Sequence, residues 1–292
     1  MKKIAILIGI IIFIGCNNKS EIPKQIKTQH PNSKHYTAEY KTLNSVGLLP
    51  NPSTHLTTKN DTLFWNNNKN EEQVFFADLK NEPLNIHEAG IKKGRGPNEY
   101  GNITSLKCYR NRLYFYDLYN KKICRGYLQN TKKLINVSDI TNNTITELNL
   151  LDSTCFLASG IFSDKRFTIY SKQGEELASY NEFPGDKNSQ KMPTIYKNMG
   201  YSNLMTSNQN NIANIVYDSG IIEFFKFTKS NLSKIKEYKY SENKFKLIDI
   251  DGNKIVKHAD SNTGFIDITS DKNNVYALFS SISWKENKDK AS

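Results

Sequence analysis

"LKCYRNRLYFYDLYNKKICRGYL", residues 106–128, decides how this chain is built. Aromatic and aliphatic residues alternate along it, and polar clusters interrupt the alternation at Arg110-Asn111-Arg112 and Asn120-Lys121-Lys122. A period of two belongs to a strand with two distinct faces. Tyr, Phe and Ile suit that pleated surface, whereas Asn and Asp tolerate the left-handed geometry of tight turns. The segment reads as three strands joined by two hairpins, the second turning at Asn120-Lys121.

The same frame recurs along the chain. It is found in "LTTKNDTLFWN" from Leu56, "ASGIFSDKRFTIYS" from Ala158, "LMTSNQNNIANIVYD" from Leu204 and "FIDITSDKNNVYALFS" from Phe265. Each reads as strand, hairpin, strand, and "YSKQGEELASY" adds a third strand after a turn at Gly174. The spacing is roughly 50 residues with irregular insertions, and no long amphipathic helix pattern competes. Meanders of three or four strands repeated at this interval define the blades of a β-propeller, so the expected fold class is all-β.

Between the first two repeats lies "KKGRGPNEYGN", residues 92–102. A phosphate-binding loop would feed a helix N-terminus and carry Lys-Ser or Lys-Thr after its glycines. Here a strand follows from Ile103, so the stretch reads as a turn. Gly94 and Gly96 are expected to supply backbone angles closed to other residues, Pro97 to fix one dihedral, and Glu99 to accept backbone N–H bonds ahead of Tyr100. The pattern Gly-x-Gly-Pro-x-Glu followed by an aromatic resembles the signature of the six-bladed, TolB-like propeller lipoproteins of gut Gram-negative bacteria. "LYFYDLYNKKI" resembles a blade strand and turn of that family, and "GFIDITSDKNNVYALFSS" its late-blade segment. The resemblance implies six blades, whereas the repeats supply four and the start of a fifth. The expectation is therefore a propeller incomplete at its C-terminal side, over residues 37–292.

The N-terminus carries a second resemblance. Met1-Lys2-Lys3 precedes an apolar run from Ile4 to Ile14 that is too short for the roughly 20 residues of a membrane span but suits an export signal. The run ends in Phe13-Ile14-Gly15-Cys16, which resembles a bacterial lipobox with Phe13 in place of the usual leucine. The resemblance implies removal of residues 1–15, diacylation of the Cys16 thiol and acylation, palmitate included, of the new amino group. Several acyl chains hold a protein to a membrane far more firmly than one. Residues 16–36 are polar and aperiodic and read as a flexible tether. Asn17-Asn18-Lys19-Ser20 lacks the acidic residues of surface-export signals, which favours the periplasmic side of the outer membrane over the cell surface.

Composition narrows the function. The chain has 292 residues, 37% hydrophobic content and a net charge of +11. This charge permits anionic lipid or glycan as a partner, but an exported lipoprotein does not meet nucleic acid and no nucleic-acid motif is present. Of four cysteines, Cys108, Cys124 and Cys155 remain after lipidation, an odd number in an oxidising compartment. If Cys108 and Cys124 occupy the first and third strands of one sheet they stand about 10 Å apart, too far to bridge. Buried free thiols are expected.

Candidate sites are few. Asp249, Asp251 and Asn253 have calcium-loop spacing, with Asp260 where the last ligand would fall. Gly252 is nonetheless two positions early, so Asp251-Gly252 reads as a hairpin turn. His30, His35, His55, His87 and His258 are scattered and read as solvated. No metal, cofactor or nucleophile-elbow motif is present. In "EFFKFTKSNLSKIKEYKYSENKFKL", from Glu223, apolar residues alternate with Lys226, Lys229, Lys234, Lys236, Lys239, Lys244 and Lys246. On strands the lysines would point outward as a solvated or anion-binding face. Two functions stay open: a non-enzymatic binding or scaffolding propeller for a protein or acidic glycan, and a lactonase- or lyase-type propeller enzyme with a divalent metal in its channel.

Overall fold

The computed structural model describes residues 56–280 except for 82–84, 128–129, 140–142, 153, 185–190, 209, 229–230, 242 and 260–262, and for 130–139 it describes the backbone alone. The expected signal segment, Cys16, the expected tether, His30, His35, His55, Lys229, Asp260 and the closing "SWKENKDKAS" lie outside the described residues.

The first sheet runs β1 (Leu56–Lys59), β2 (Thr62–Asn66), β3 (Val74–Asp78) and β4 (Ile86–Glu88) as an antiparallel meander. Two short segments follow, β5 (Lys92–Lys93) and β6 (Glu99–Tyr100), paired in parallel. The opening stretch of sequence forms the second sheet: β7 (Ile103–Tyr109), β8 (Arg112–Asp117) and β9 (Lys122–Tyr127), with β10 (Asn130–Asp139) outermost. The third sheet comprises β11 (Thr144–Leu150), β12 (Cys155–Ile161), β13 (Phe167–Ser171) and β14 (Glu176–Tyr180). After the short helix α1 (Thr194–Gly200) comes the fourth, β15 (Asn203–Asn208), β16 (Asn211–Val216), β17 (Ile221–Thr228) and β18 (Asn231–Lys239). A separate hairpin, β19 (Phe245–Ile250) and β20 (Asn253–His258), precedes the two-stranded fifth sheet, β21 (Gly264–Ser270) and β22 (Val275–Ser280).

The first strands of successive sheets lie side by side, β1 on β7, β7 on β11, β11 on β15 and β15 on β21. Each meander runs outward from that shared inner row, which is the geometry of propeller blades around an axis. Because both faces of a blade are covered, the alternation within one strand serves two interfaces. On β8, Leu113 and Phe115 join Phe64, Ile91 and Leu106 against the first sheet. Tyr114 and Tyr116 join Phe156 and Tyr170 against the third. Separate clusters hold the third to the fourth sheet, around Phe167, Met205 and Phe225, and the fourth to the fifth, around Ile215 and Phe265. Full burial of one such side chain contributes about 1.5–3 kcal/mol.

Three expectations need correction. The segment from Ala158 is not a first and second strand but β12 and β13, and the inner strand of that blade is β11, "TITELNL". Every hairpin of a meander shows the same apolar–turn–aromatic pattern, so the pattern cannot tell which strand is innermost. The left-handed turn positions are Arg110 and Lys121, at φ 53° and 52°, rather than their asparagine neighbours. Finally, Cys124 and Cys155 are buried free thiols, but the free thiol of Cys108 is only partly buried.

Cys108 and Cys124 do occupy the first and third strands of one sheet. Burial, offset in part by the Thr57 hydroxyl and Lys59, pushes the Cys108 thiol up to about 11. At about pH 8 roughly one molecule in a thousand then carries the reactive thiolate. Iodoacetamide is expected to label Cys108 far more slowly in the native chain than in urea, as read by peptide mass spectrometry; equal rates would contradict the packing around it.

Candidate functional site

The loop at 92–102 closes on itself. The Gly94 N–H donates to the Tyr100 carbonyl at 3.1 Å and the Glu99 N–H to the Gly96 carbonyl at 3.1 Å. The Gly96 N–H donates to Glu99 Oε2 at 2.8 Å, the bond expected of that glutamate. Neither glycine takes a left-handed angle, contrary to expectation; Asn98 does, at φ 64°. The glycines are needed for space instead. A Cβ on Gly94 would sit 1.9 Å from Glu99 Oε2, and one on Gly96 3.0 Å from it. Gly94→Ala is expected to swing the flexible Glu99 side chain off the Gly96 amide and cost about 1 kcal/mol in urea unfolding. In a Glu99→Ala background the same substitution should cost much less, and an equal cost there would refute the mechanism.

Around this loop, buried polar groups tie the first sheet to the second. Glu72 Oε1 accepts the Ile91 N–H at 2.6 Å, and the Asn66 and Asn68 amides donate to the Ile103 carbonyl at 2.9 and 2.7 Å. Both Asp117 carboxylate oxygens accept the Gly101 N–H at 3.2 Å. The Tyr100 ring stands edge-on to Phe115, 5.1 Å between centroids. The contacts named here join the loop to the two sheets it links, the arrangement of a connector.

The inner strands are where a propeller enzyme would gather its ligands, and there neighbouring blades are stitched by hydroxyls. The Cys108 N–H donates to Thr57 Oγ1 at 3.1 Å, the Ser105 hydroxyl to the Leu148 carbonyl at 3.1 Å and the Ser207 hydroxyl to the Leu150 carbonyl at 2.7 Å. Thr206 and Ser270 share a bond of 2.7 Å. Charge enters between these inner strands through Lys107 Nζ, 2.7 Å from Glu147 Oε1. Among the described residues no group of three His, Cys, Asp or Glu side chains is placed to hold a metal ion. His87 is exposed, as read, with its ring stacked on Phe76 at 5.1 Å between centroids, whereas His258 is only partly exposed and lies tilted against Phe245 at 5.9 Å. Asp251 and Gly252 form the expected hairpin turn, at φ 51° and 80°.

The lysine stretch is divided by a bulge. Phe224 pairs with Lys236 and Phe225 with Lys234, so Ile235 is the extra residue between them. A bulge turns the residues beyond it to the other face. Lys226 and Lys236 are exposed, and Lys236 lies over the Tyr238 ring at 4.6 Å. Lys234, expected to point outward, instead lies 2.8 Å from Glu237 and 3.8 Å from the buried Glu223. Lys239 pairs with Glu237 at 2.9 Å, and both lysines keep the Glu237 carboxyl below the usual range against the opposing effect of burial.

Beneath Lys234 lies a cluster that the strand pattern does not announce. Arg166 and Glu223, both fully buried, form a fork: Nη1 donates to Oε1 at 3.0 Å and Nη2 to Oε2 at 2.5 Å. Arg166 also donates to the Glu182 carbonyl and to Asn203 Oδ1, both at 3.1 Å, and its guanidinium stands 4.6 Å from the Phe167 ring. Asn214 donates to Glu223 Oε2 at 3.1 Å. Asn203 also lines a cleft of about 240 Å³ with Thr146, Gly160, Ile161, Asn198, Met199 and Ser202. The signal for this cluster was Glu223 itself, an acid within the apolar run "IIEFF".

Four-stranded meanders packed side by side through their first strands define the chain as a β-propeller protein. It belongs to the TolB-like 6-blade propeller-like family, whose pattern matches residues 33–292. No curated protein matches its sequence. Among solved structures it is similar to a Bacteroides fragilis protein named as exported, with 11% identity over 65% of this chain and 52% of that one, TM-score 0.46. Apo AztD from Citrobacter koseri is similar with 11% identity over 78% and 51%, TM-score 0.41. Hsv2p of Kluyveromyces lactis is similar with 8% identity over 63% and 60%, TM-score 0.39. The chain thus spans between 51% and 60% of the length of these structures.

Proposed function

We propose that this chain is an exported lipoprotein whose propeller is a non-enzymatic binding module for an acidic glycan. Lys226 and Lys236, exposed on one face of the β17–β18 pair, carry the reading, because their lysine neighbours Lys234 and Lys239 are engaged by acids while these two have no acidic partner among the described residues. Ile235, 60% exposed, and Tyr240, 48% exposed, flank them and offer apolar contact to sugar rings. The lipobox at Cys16 supports anchoring to the outer membrane on its periplasmic side, with residues 16–36 as the tether.

Heparin, a sulfated glycan, serves as the probe. Lys226→Glu/Lys236→Glu should elute from immobilised heparin at clearly lower salt than Lys69→Glu/Lys272→Glu, which changes net charge equally on the first and fifth sheets. Equal elution of the two variants would reduce the effect to overall charge and sink the reading.

A further inference from the structure

The second sheet carries a basic region built differently from the lysine stretch. Its register sets Tyr109 beside Arg112 and Arg112 beside Tyr127. The next row sets Lys107 beside Tyr114 and Tyr114 beside Arg125. Residues two apart on a strand share a face, so cations and tyrosines alternate in both directions across β7, β8 and β9. The third sheet covers this face around Tyr114, whose ring meets Phe156 at 5.9 Å between centroids. The row at the β7–β8 turn is open: Tyr127 is 44% exposed, and Tyr109 and Arg112 are partly exposed.

The cations differ in what engages them. Lys107 is neutralised by Glu147. Arg112 and Arg125 have no acidic partner among the described residues, and the Arg112 guanidinium lies over the Tyr127 ring at 5.4 Å. Arg110, exposed on the adjoining turn, likewise meets a ring rather than an acid, Tyr109 at 5.5 Å. Arg125 is partly buried, and its Nε is buried without a hydrogen-bond partner, a state that folded proteins seldom leave to a polar group. Arg112 and Arg125 are diagonal neighbours on one face, roughly 7–8 Å apart. Like charges this close repel, and an anion between them removes the repulsion.

The residue types narrow the anion. A guanidinium offers paired N–H donors that match a planar carboxylate, whereas an ammonium meets any anion as a point charge. Tyr109 and Tyr127 add apolar ring surface and hydroxyls beside those donors. A sugar ring that bears a carboxylate uses both. We propose that Arg112 and Arg125, with Tyr127 between the blades' outer strands, bind the carboxylates of a uronic-acid glycan. The ligand class rests on the reading given under the proposed function, but carboxylate recognition falls on the second sheet rather than on Lys226 and Lys236 of the fourth.

The test titrates the full chain with polygalacturonate, whose charges are all carboxylates, and with dextran sulfate, whose charges are all sulfates. Arg112→Lys/Arg125→Lys keeps the net charge and removes the paired donors. Its affinity for polygalacturonate should fall about tenfold, while that for dextran sulfate should hardly change. If its urea midpoint drops, Arg112→Lys alone, on the open row, is titrated instead and should show the same selective loss. No binding of polygalacturonate, or equal affinity in variant and unsubstituted chain, overturns the proposal. Equal affinity for polyglutamate would assign the face to acidic protein segments and also overturn it. Lys226→Glu/Lys236→Glu on immobilised heparin reads the fourth sheet separately, so the two sites fail distinguishably.

Discussion

Arg166→Met is expected to destabilise the folded chain by about 3–5 kcal/mol in urea unfolding. The substitution removes one partner of a fully buried pair and leaves Glu223 with an uncompensated charge. Solvent cannot repair the loss, since both side chains have no exposure. Lys234, 3.8 Å from Glu223, offers partial compensation and should keep the cost toward the lower end of that range. Arg166→Lys should remain well short of wild type, because an ammonium cannot reproduce the two parallel bonds to the carboxylate while also reaching the Glu182 carbonyl and Asn203. The decisive variant is Arg166→Met/Glu223→Leu. Replacing both charges with apolar groups removes the desolvation penalty, so the double variant should recover most of the stability lost by the single one. A double variant as unstable as Arg166→Met would show that the cost lies in lost packing around Phe167 and Phe183 rather than in the stranded charge.

Asp117→Ala is expected to cost about 2–4 kcal/mol. Its carboxylate has no exposure and accepts N–H groups from both sides of a blade junction. From the connector come Gly101 at 3.2 Å and Asn102 at 3.4 Å; from the β8–β9 turn come Tyr119 at 3.1 Å, Asn120 at 3.4 Å and the Asn120 side-chain amide at 2.6 Å. Truncation strands the Gly101 donor, which is buried with the Tyr119 ring 2.2 Å from where its Cβ would be, while the donors of Tyr119 and Asn120, on an exposed turn, lose the acceptor that orders them. Hydrogen exchange should therefore accelerate at Gly101, Tyr119 and Asn120 while staying unchanged on β16. Unchanged protection at those three amides would mean that other contacts hold the junction. Asp117→Asn should fall between the two, because one oxygen is kept but the amide presents hydrogens to N–H donors.

Much of the architecture was legible in local patterns. The aliphatic and aromatic run in "RLYFYD" specified a strand, and the structure buries both of its faces, Leu113 and Phe115 on one neighbour and Tyr114 and Tyr116 on the other. The connector was legible as a turn because no helix follows it, and Glu99 bonds back as expected. The role of its glycines was not legible. Sequence suggests unusual dihedrals at any Gly-x-Gly, yet here the need is clearance for a carboxylate, which only the position of Glu99 reveals. The outward lysine row was misread at Lys234 because the single extra residue Ile235 reverses which face a lysine occupies, and alternation carries no mark of a bulge.

The amino-acid sequence by itself determined the local terms: strand alternation, turn chemistry at Gly174 and Asp251-Gly252, and the repeat interval. These are set by residues a few positions apart, whose backbone preferences act before any tertiary contact exists. Tertiary structure alone decided which strand of each meander faces the axis and the pairing of Arg166 with Glu223 at a separation of 57 residues. Each of these depends on which faces meet when blades stack, and that is a property of packed surfaces rather than of any stretch of chain.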